Sequence, residues 1–190
     1  MPRWEPHARE RLEAAALELF AAHGYQAVTV PRIAERAGLT KPSYFRHFAD
    51  KREVLFFGQE LVLEAIKQAV EAAPEGASPR RLVEAALDGA AVLFTPARRA
   101  RAAARQEIIE SEPELRECLT GKRSAIAGTI TAAVQDRGTP RPTALVAGQL
   151  GLLAFVAAHE RWAASTGGDD FAGYARDSLD EAIKAAASLL

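Results

Sequence analysis

The sequence predicts an all-α fold of about nine helices. Apolar residues recur every three or four positions through most of the 190-residue chain, as they do on the buried face of a helix. Residues that begin helices (Ser, Thr, Asp) and residues that end them (Gly, Pro) separate these segments. We find no convincing alternating pattern of a strand, and the apolar fraction of 48% excludes a mainly disordered chain.

Three short helices are predicted at the N-terminal end of the chain. The first spans about residues 6–23 and ends at Gly24. Thr29 can cap a second helix that ends at Gly38, and Thr40 repeats the device for a third. Caps this close together indicate short helices that are joined by very short turns.

The rest of the chain predicts six longer helices. Asp50 and Glu53 form a capping box for the first of these, and proline or glycine breaks separate the others. We expect them at about residues 51–72, 79–94, 96 onward, 111–138, 143–165 and 170–190. The run at 144–158 is apolar almost all round, but it is shorter than the roughly 20 residues that cross a bilayer, so we predict a buried helix and no membrane partner.

Charge and cysteine content limit the possible functions. The formal net charge is −1, so any nucleic-acid site must be local rather than spread over the whole surface. Residues 1–55 carry nine Lys or Arg against seven Asp or Glu, and no acid occurs between Arg36 and Ala49. The single cysteine, Cys118, allows neither an internal disulfide nor a zinc site. The charged first residues suggest no export signal, so we expect a cytoplasmic protein.

The acid-free segment has the layout of a helix-turn-helix. Two short helices flank the turn "AGLT", and the second begins with polar residues, as does a helix that enters a DNA major groove. Tyr44 and Phe48 are four residues apart and are expected to face the core, whereas the opposite face presents Lys41, Ser43, Arg46 and His47. Arg46 suits either a guanine or a phosphate contact. Solvated surface charge is the alternative role for these cations.

The same segment resembles the tetracycline-repressor (TetR) family of transcriptional regulators. The resemblance runs from "ALELFAAHGYQAVTV" through "IAERAGLTKPSYFRHFADKREVLF", about residues 15–56. It implies a three-helix DNA-binding domain, a divergent helical domain that binds a small-molecule effector, and a homodimer on a palindromic operator. It also implies a four-helix bundle built by the last two helices of each subunit, about residues 143–165 and 170–190. Abundant alanine and glycine in the first of these helices would permit close packing.

The sequence departs from the family pattern at two positions. Phe45 stands where the family usually has a phosphate-binding tyrosine, so that Tyr44 replaces this contact or the contact is lost, and Phe45 can serve either DNA or packing. Pro42 stands where glycine is common and removes a backbone donor. The complete set of expected DNA contacts is Thr29, Arg32, Thr40, Lys41, Ser43, Tyr44, Phe45, Arg46, His47 and Lys51.

We expect a DNA-binding domain at residues 1–55 and an effector and dimerisation domain at residues 56–190. In the second domain, aromatic residues on successive helical turns suit an effector pocket. The candidate lining residues are Phe94, Arg105, Ile109, Phe155, His159 and Trp162, and ordinary core packing is the alternative for each.

Two other classes of protein remain as hypotheses. A helical-bundle metal–carboxylate enzyme would need Glu-x-x-His pairs, and the sequence contains none; nor does it contain H-E-x-x-H, a phosphate-binding glycine loop or G-x-S-x-G. We therefore predict no catalytic residues, metal or cofactor. A helical protein-interaction module, in which the helix pair serves packing only, is the second alternative.

Overall fold

The computed structural model describes residues 7–167 and 170–189, which form nine α-helices and no strand. The prediction of an all-α chain with about nine helices is therefore confirmed. The helices are α1 (Ala8–His23), α2 (Val30–Arg36), α3 (Lys41–Phe45), α4 (Gln59–Glu71), α5 (Pro79–Ala91), α6 (Pro96–Ser111), α7 (Pro113–Asp136), α8 (Arg141–Ala164) and α9 (Phe171–Ala187).

The chain divides into two compact units. The N-terminal unit contains the residues up to Gly58 together with Arg101–Leu119, and the C-terminal unit contains Gln59–Ala100 and Thr120–Leu190. The N-terminal unit is thus discontinuous in sequence. Its core combines residues of α1 to α3 with residues contributed by α6 and α7, and fully buried members include Leu12, Ile33, Tyr44, Leu55 and Leu115.

Glycine and capping residues set the short N-terminal helices. Gly24 and Gly38 both have a positive φ, 78° and 68°, which glycine adopts without steric cost, and each ends a helix. The Thr40 hydroxyl accepts a hydrogen bond from the Ser43 amide, as the sequence predicts. Thr29 occupies the equivalent position before α2, but its side chain makes no capping hydrogen bond.

The helix predicted at residues 51–72 begins later. Asp50 caps only a short 3-10 turn, Glu53–Phe56, by accepting hydrogen bonds from the Arg52 and Glu53 amides. Gly58 then has a φ of 93°, which no continuing helix can accommodate, and α4 starts at Gln59. The predicted cap by Asp50 is confirmed, but the prediction of one continuous helix is wrong because Gly58 interrupts it eight residues later.

The C-terminal unit owes its close helix packing to small residues. A Cβ atom added to Gly148 of α8 would lie 2.0 Å from the Thr131 hydroxyl oxygen and 2.7 Å from the Ala127 carbonyl oxygen of α7. These separations are far below van der Waals contact, so only glycine permits this approach. The close packing expected from the small residues of α8 therefore occurs here within one chain.

An arginine caps the C-terminal end of α4 in the same unit. The Arg137 guanidinium donates hydrogen bonds to four carbonyl oxygens, those of Val70, Glu71, Ala73 and Pro74, at 2.6–3.3 Å. Val70 and Glu71 lie in the last turn of α4, Ala73 and Pro74 follow it, and a cation is favourable at this end of a helix dipole. Arg137 therefore fixes the point at which α4 ends.

Helix α8 has one buried and one exposed apolar face. Among the described residues, it alone is long and apolar enough to cross a membrane, a test that core helices of soluble proteins also pass. Only 39% of its most apolar window is buried. Leu145, Val146 and Leu153 are 47%, 58% and 59% exposed, so one chain does not bury this helix on every side, and the burial that the sequence predicts stays a prediction about a partner subunit.

Candidate DNA-binding surface

Helices α2 and α3 pack against one another across the four-residue turn 37–40. Gly38 reverses the chain, the Leu39 side chain is buried, and the Thr40 cap starts α3. Behind α2, the Arg11 guanidinium of α1 donates to the Ala37 carbonyl oxygen. Both ends of the turn are therefore held by polar contacts, and the orientation of α3 is fixed.

The inward face of α3 is aromatic. Tyr44 is fully buried and its ring packs against Phe48 at a centroid distance of 5.4 Å, as expected. Its hydroxyl donates to the Asp50 carbonyl oxygen at 3.1 Å. Burial, with the nearby Asp50 carboxylate, raises the pKa of Tyr44. The structure thus places Tyr44 in the core, away from the exposed face, although we counted it among the DNA contacts and considered it a replacement for the usual tyrosine.

The outward face of α3 carries the exposed candidates. Lys41 and Arg46 are exposed, and His47, in the turn after the helix, is half-buried. Phe45 is 47% exposed, and one edge of its ring contacts Tyr44 at a centroid distance of 5.6 Å. Phe45 therefore packs on one side and is accessible on the other, so that its packing role is observed and its DNA contact stays a prediction.

Ser43 lies beneath this face. It is only 6% exposed, and its hydroxyl oxygen accepts a hydrogen bond from the exposed Arg46 guanidinium at 2.8 Å. The Thr40 hydroxyl donates to the same oxygen at 3.2 Å. Three polar candidates therefore form one connected group, in which only Thr40 and Arg46 are exposed.

Lys51 has a different role from the phosphate contact that we expected. Its ammonium group donates to the carbonyl oxygens of Tyr25 and Val28 at 2.9 and 3.1 Å and lies 3.9 Å from the centroid of the Tyr25 ring. Burial lowers the pKa of Lys51, and the charges of Glu114 and Glu112 act in the opposite sense. Lys51 thus fixes the loop between α1 and α2, because two backbone acceptors and an aromatic face hold its charge.

The start of α2 adds further exposed candidates. Thr29 and Arg32 are both exposed, and the Arg32 guanidinium lies 2.8 Å from the His23 Nε2 atom. On the same helix, Arg36 forms a salt bridge of 2.5 Å with Glu18. The two arginines of α2 therefore differ in their partners. A carboxylate neutralises the charge of Arg36, whereas Arg32 lies next to a histidine ring nitrogen.

Four of the effector-pocket candidates come together in the C-terminal unit. The Phe94 ring stacks on Phe171 at a centroid distance of 3.9 Å and meets Phe155, His159 and Trp162 edge to face at 5.2–5.9 Å. The aromatic cluster is thus defined by these five residues. Its rings pack directly against one another, which is the core packing that we weighed against a pocket.

The other two effector-pocket candidates belong to the N-terminal unit. Arg105 forms a salt bridge of 3.4 Å with Glu13, and Ile109 is buried in the core. They therefore have local roles, and the six candidates do not form one site within either unit. Helical spacing can suggest that Phe155, His159 and Trp162 of α8 lie together. Spacing cannot show that Arg105 and Ile109 of α6 pack in the N-terminal unit, because long-range packing decides this.

One buried charged group was missed at the sequence level. Glu13 of α1 is 5% exposed and its carboxylate faces two arginines of α6, Arg101 at 3.3 Å and Arg105 at 3.4 Å. An acid next to Leu12, on the apolar side of an amphipathic helix, indicates a buried ion pair. The sequence gives no indication of its partners, which lie about ninety residues away.

Metal binding has no support in the part of the chain that the structure describes. Within residues 7–167 and 170–189, no group of three or more His, Cys, Asp or Glu side chains is placed to hold a metal ion. Cys118 is half-buried and forms no disulfide.

A capped helix that is held across a short turn, with an aromatic buried face and an exposed cationic face, has the geometry of a helix-turn-helix. Residues 12–56 match the family model described as "Bacterial regulatory proteins, tetR family". This match confirms the resemblance of the N-terminal segment to the TetR family of transcriptional regulators.

A curated relative is similar to part of this chain, and two solved structures are similar to it in fold. The HTH-type transcriptional regulator TcmR of Streptomyces glaucescens is 40% identical over 78 residues, which are 41% of this chain and 34% of TcmR. The match thus spans about a third of the length of that relative. Thermus thermophilus FadR, a TetR-family repressor solved with lauroyl-CoA, has a TM-score of 0.53 at 21% identity over 92% of this chain and 93% of that chain.

The SmeT–triclosan complex has a TM-score of 0.62 at 18% identity over 94% of this chain and 90% of that chain. SmeT is described as the repressor of a Stenotrophomonas maltophilia multidrug efflux pump. At these identities the two solved structures share the fold.

Proposed function

We propose that the protein is a ligand-responsive repressor that binds a palindromic operator as a homodimer and is released by a small-molecule effector. The observation that carries this proposal is the exposed face of α3, which presents Lys41 and Arg46 and contains no acid. An acid there would face about one phosphate charge per 1.7 Å of duplex axis. Its absence is expected of a helix that enters the major groove.

The geometry favours distinct roles for the exposed candidates. Arg46 is the candidate for a bidentate guanine contact, and Lys41, His47 and Arg32 are candidates for phosphate contacts. Thr29 and Thr40 lie exposed at the starts of α2 and α3, where hydroxyl and amide groups can bind a phosphate. The exposed edge of Phe45 contributes apolar contact. Tyr44, Ser43 and Lys51 support this surface from below.

Dimerisation through α8 and α9 is the second part of the proposal. Leu145, Val146 and Leu153 form an exposed apolar face on α8 that water disfavours, and a second copy of the chain would cover it. A two-fold axis would present both recognition helices to half-sites about 34–36 Å apart, or to a longer spacing of the same symmetry.

Substitution of one leucine tests the dimer. Leu153→Glu should convert the dimer to a monomer in sedimentation velocity, because it buries an unpaired charge at the interface. Leu61→Glu is the matched control, since Leu61 is 48% exposed on α4. If both variants sediment as the wild type does, another surface must mediate association.

The effector is the third part of the proposal. FadR and SmeT have the same fold as this chain, and they were solved with lauroyl-CoA, whose acyl chain is apolar, and with triclosan. We infer that the aromatic cluster is the apolar region that would receive such a ligand, which would have to displace Phe94 to enter it. Conversion from mostly bound to mostly released operator requires about 5.5 kcal/mol of differential ligand affinity.

The domain assignment also remains a proposal. A DNA-binding domain at residues 1–55 and an effector and dimerisation domain at 56–190 agree with the family model over residues 12–56. The compact N-terminal unit additionally includes Arg101–Leu119. Cytoplasmic localisation follows from the proposed action on DNA.

Selection of bound duplexes from a random pool at physiological salt tests the proposed function. We expect an inverted repeat, and we expect Arg46→Ala to weaken binding and to relax the preference at one base pair of each half-site. Each base contact that is lost costs about 1–3 kcal/mol. Failure of the folded, dimeric protein to enrich any sequence, with and without candidate apolar ligands, would contradict the proposal.

A further inference from the structure

The arginines near the helix pair differ in the chemistry of their partners. Arg36 is paired with the carboxylate of Glu18, and Arg52 donates to the carboxylate of Asp50 at 2.6 Å. Arg46 instead donates to a neutral hydroxyl, that of Ser43, at 2.8 Å. A carboxylate cancels the charge of a guanidinium and competes with a phosphate or a base for it, whereas a hydroxyl orients the guanidinium and leaves its charge intact.

The Ser43 hydroxyl is itself held in place. Its oxygen accepts from the Thr40 hydroxyl at 3.2 Å, while the Thr40 oxygen accepts from the Ser43 amide at the same distance. A serine oxygen has two lone pairs, so it can accept from Thr40 and Arg46 together. Because Ser43 is 6% exposed, it is poorly placed to contact DNA itself. The cap of α3 is thus connected through Ser43 to the guanidinium.

We propose that Ser43 is a positioning residue that holds the Arg46 guanidinium ready for base recognition. This inference rests on the proposed function, in which α3 enters the major groove. A bidentate base contact requires a defined guanidinium plane, and immobilising a free side chain on binding weakens affinity by about 2- to 10-fold. Prior orientation by Ser43 removes part of that cost. Loss of the Ser43 hydroxyl should therefore reduce the sequence preference more than the general attraction to DNA.

A double-mutant cycle tests this inference. The wild type, Ser43→Ala, Arg46→Ala and the double variant are compared by their Kd for the selected operator and for its single-base variants. We expect Ser43→Ala to raise the Kd about 2- to 10-fold and to flatten the preference at the base pair that depends on Arg46. In the Arg46→Ala background it should have no effect.

Three further variants separate positioning from a structural role. Ser43→Thr retains the hydroxyl and should restore the preference. Arg36→Ala is the matched control for loss of a neighbouring arginine and should leave the preference unchanged, because Glu18 already neutralises Arg36. Arg46 is exposed, so Arg46→Lys should fold. Because lysine keeps the charge but lacks the planar guanidinium, this variant should keep the salt dependence of binding and lose the base preference. Thermal midpoints of all variants identify any loss of folding.

The outcomes are distinct. Equal effects of Ser43→Ala with and without Arg46 would overturn the positioning role, and so would wild-type preference in folded Ser43→Ala. If Ser43→Ala does not fold, wild-type preference in Arg46→Lys overturns the role in its place. An Arg46→Ala variant that binds operator and scrambled DNA as the wild type does would overturn both this inference and the proposed DNA-reading face.

Discussion

In the N-terminal unit, the half-buried Lys51 and the buried Glu13 hold partners that are distant in sequence. In the C-terminal unit, Arg137 likewise holds distant carbonyl oxygens, but Gly148 and Phe94 act through packing: Gly148 lets α8 approach α7, and Phe94 lies among four other rings. Directional polar contacts fix the position of a surface, whereas a cluster of rings tolerates exchange of side chains of similar volume; Gly148 does not, because it leaves no room for a Cβ atom. The comparison suits the proposed DNA-reading surface in the N-terminal unit and the proposed effector region in the C-terminal unit.

The largest expected effect is on the core beneath the reading surface. Tyr44→Ala removes a fully buried aromatic ring and should lower the free energy of unfolding by about 3–5 kcal/mol. Tyr44→Phe removes only the hydrogen bond to Asp50 and should cost about 1 kcal/mol. Urea unfolding followed by circular dichroism measures both. Equal midpoints for Tyr44→Ala and the wild type would mean that Tyr44 is not in the core.

A smaller loss is expected where α8 meets α7. Gly148→Ala places a Cβ atom 2.7 Å from the Ala127 carbonyl oxygen and should cost about 1–3 kcal/mol, because the backbone cannot easily move away. Gly128→Ala on α7 is the matched control, since a Cβ atom there meets nothing within 4 Å. The control should gain about 0.5–1 kcal/mol from helix propensity. Loss of stability in both variants would show that space at residue 148 is not the reason.

Removal of the Lys51 charge should test the polar side of the comparison. Lys51→Met loses both carbonyl contacts and should lower the free energy of unfolding by about 1–2 kcal/mol. Lys41→Met, at an exposed position on α3, is the control and should leave stability unchanged while weakening DNA binding. Hydrogen exchange of the amides between α1 and α2 should report local opening in Lys51→Met alone. Unchanged exchange there would contradict the proposed role of Lys51.

The smallest expected effect is a loss of stability that is absent at neutral pH and appears at alkaline pH. Burial raises the pKa of Tyr25 and of Tyr44 above the ordinary value of about 10. Their stabilising contribution is complete below about pH 10 and is lost as the pH rises through the folded-state values. For Lys51 the sign is opposite, because burial lowers its pKa. Its contribution to stability therefore rises with pH below its ordinary pKa of about 10.4. Above about pH 10.4, stability should therefore fall.

Replacing both tyrosines by phenylalanine provides the control for the alkaline effect. The double variant should flatten the pH dependence of the urea midpoint above about pH 10.4, because the groups that ionise have been removed. An unchanged slope would assign the alkaline loss to other groups. The comparison between the two units would then lose its electrostatic basis.

Local features of the fold were predictable from the sequence. The capping of α3 by Thr40 and the inward pair Tyr44 and Phe48 follow from helical spacing and from capping chemistry, and the structure has them. Gly58 could also have been recognised, because a glycine inside a predicted helix is a common interruption.

Long-range partners were not predictable. The acceptors of Lys51 lie 23 and 26 residues away, and the partners of Glu13 about ninety. Which residues of α8 are exposed was not predictable for a related reason, because a helix that is apolar on all sides does not reveal which face its own chain covers. Spacing within one element defines its faces, whereas the packing of the whole chain decides what each face meets.

The discontinuity of the N-terminal unit has a consequence for protein engineering. A chimeric regulator can be designed by joining the DNA-binding domain of one protein to the effector-binding domain of another at a single junction. A junction near residue 55 of this chain would leave Glu13 facing foreign residues in place of Arg101 and Arg105, and would replace Ile109 and Leu115 in the core. A functional chimera therefore needs residues 101–119 together with the N-terminal segment, because the compact unit is built from both segments.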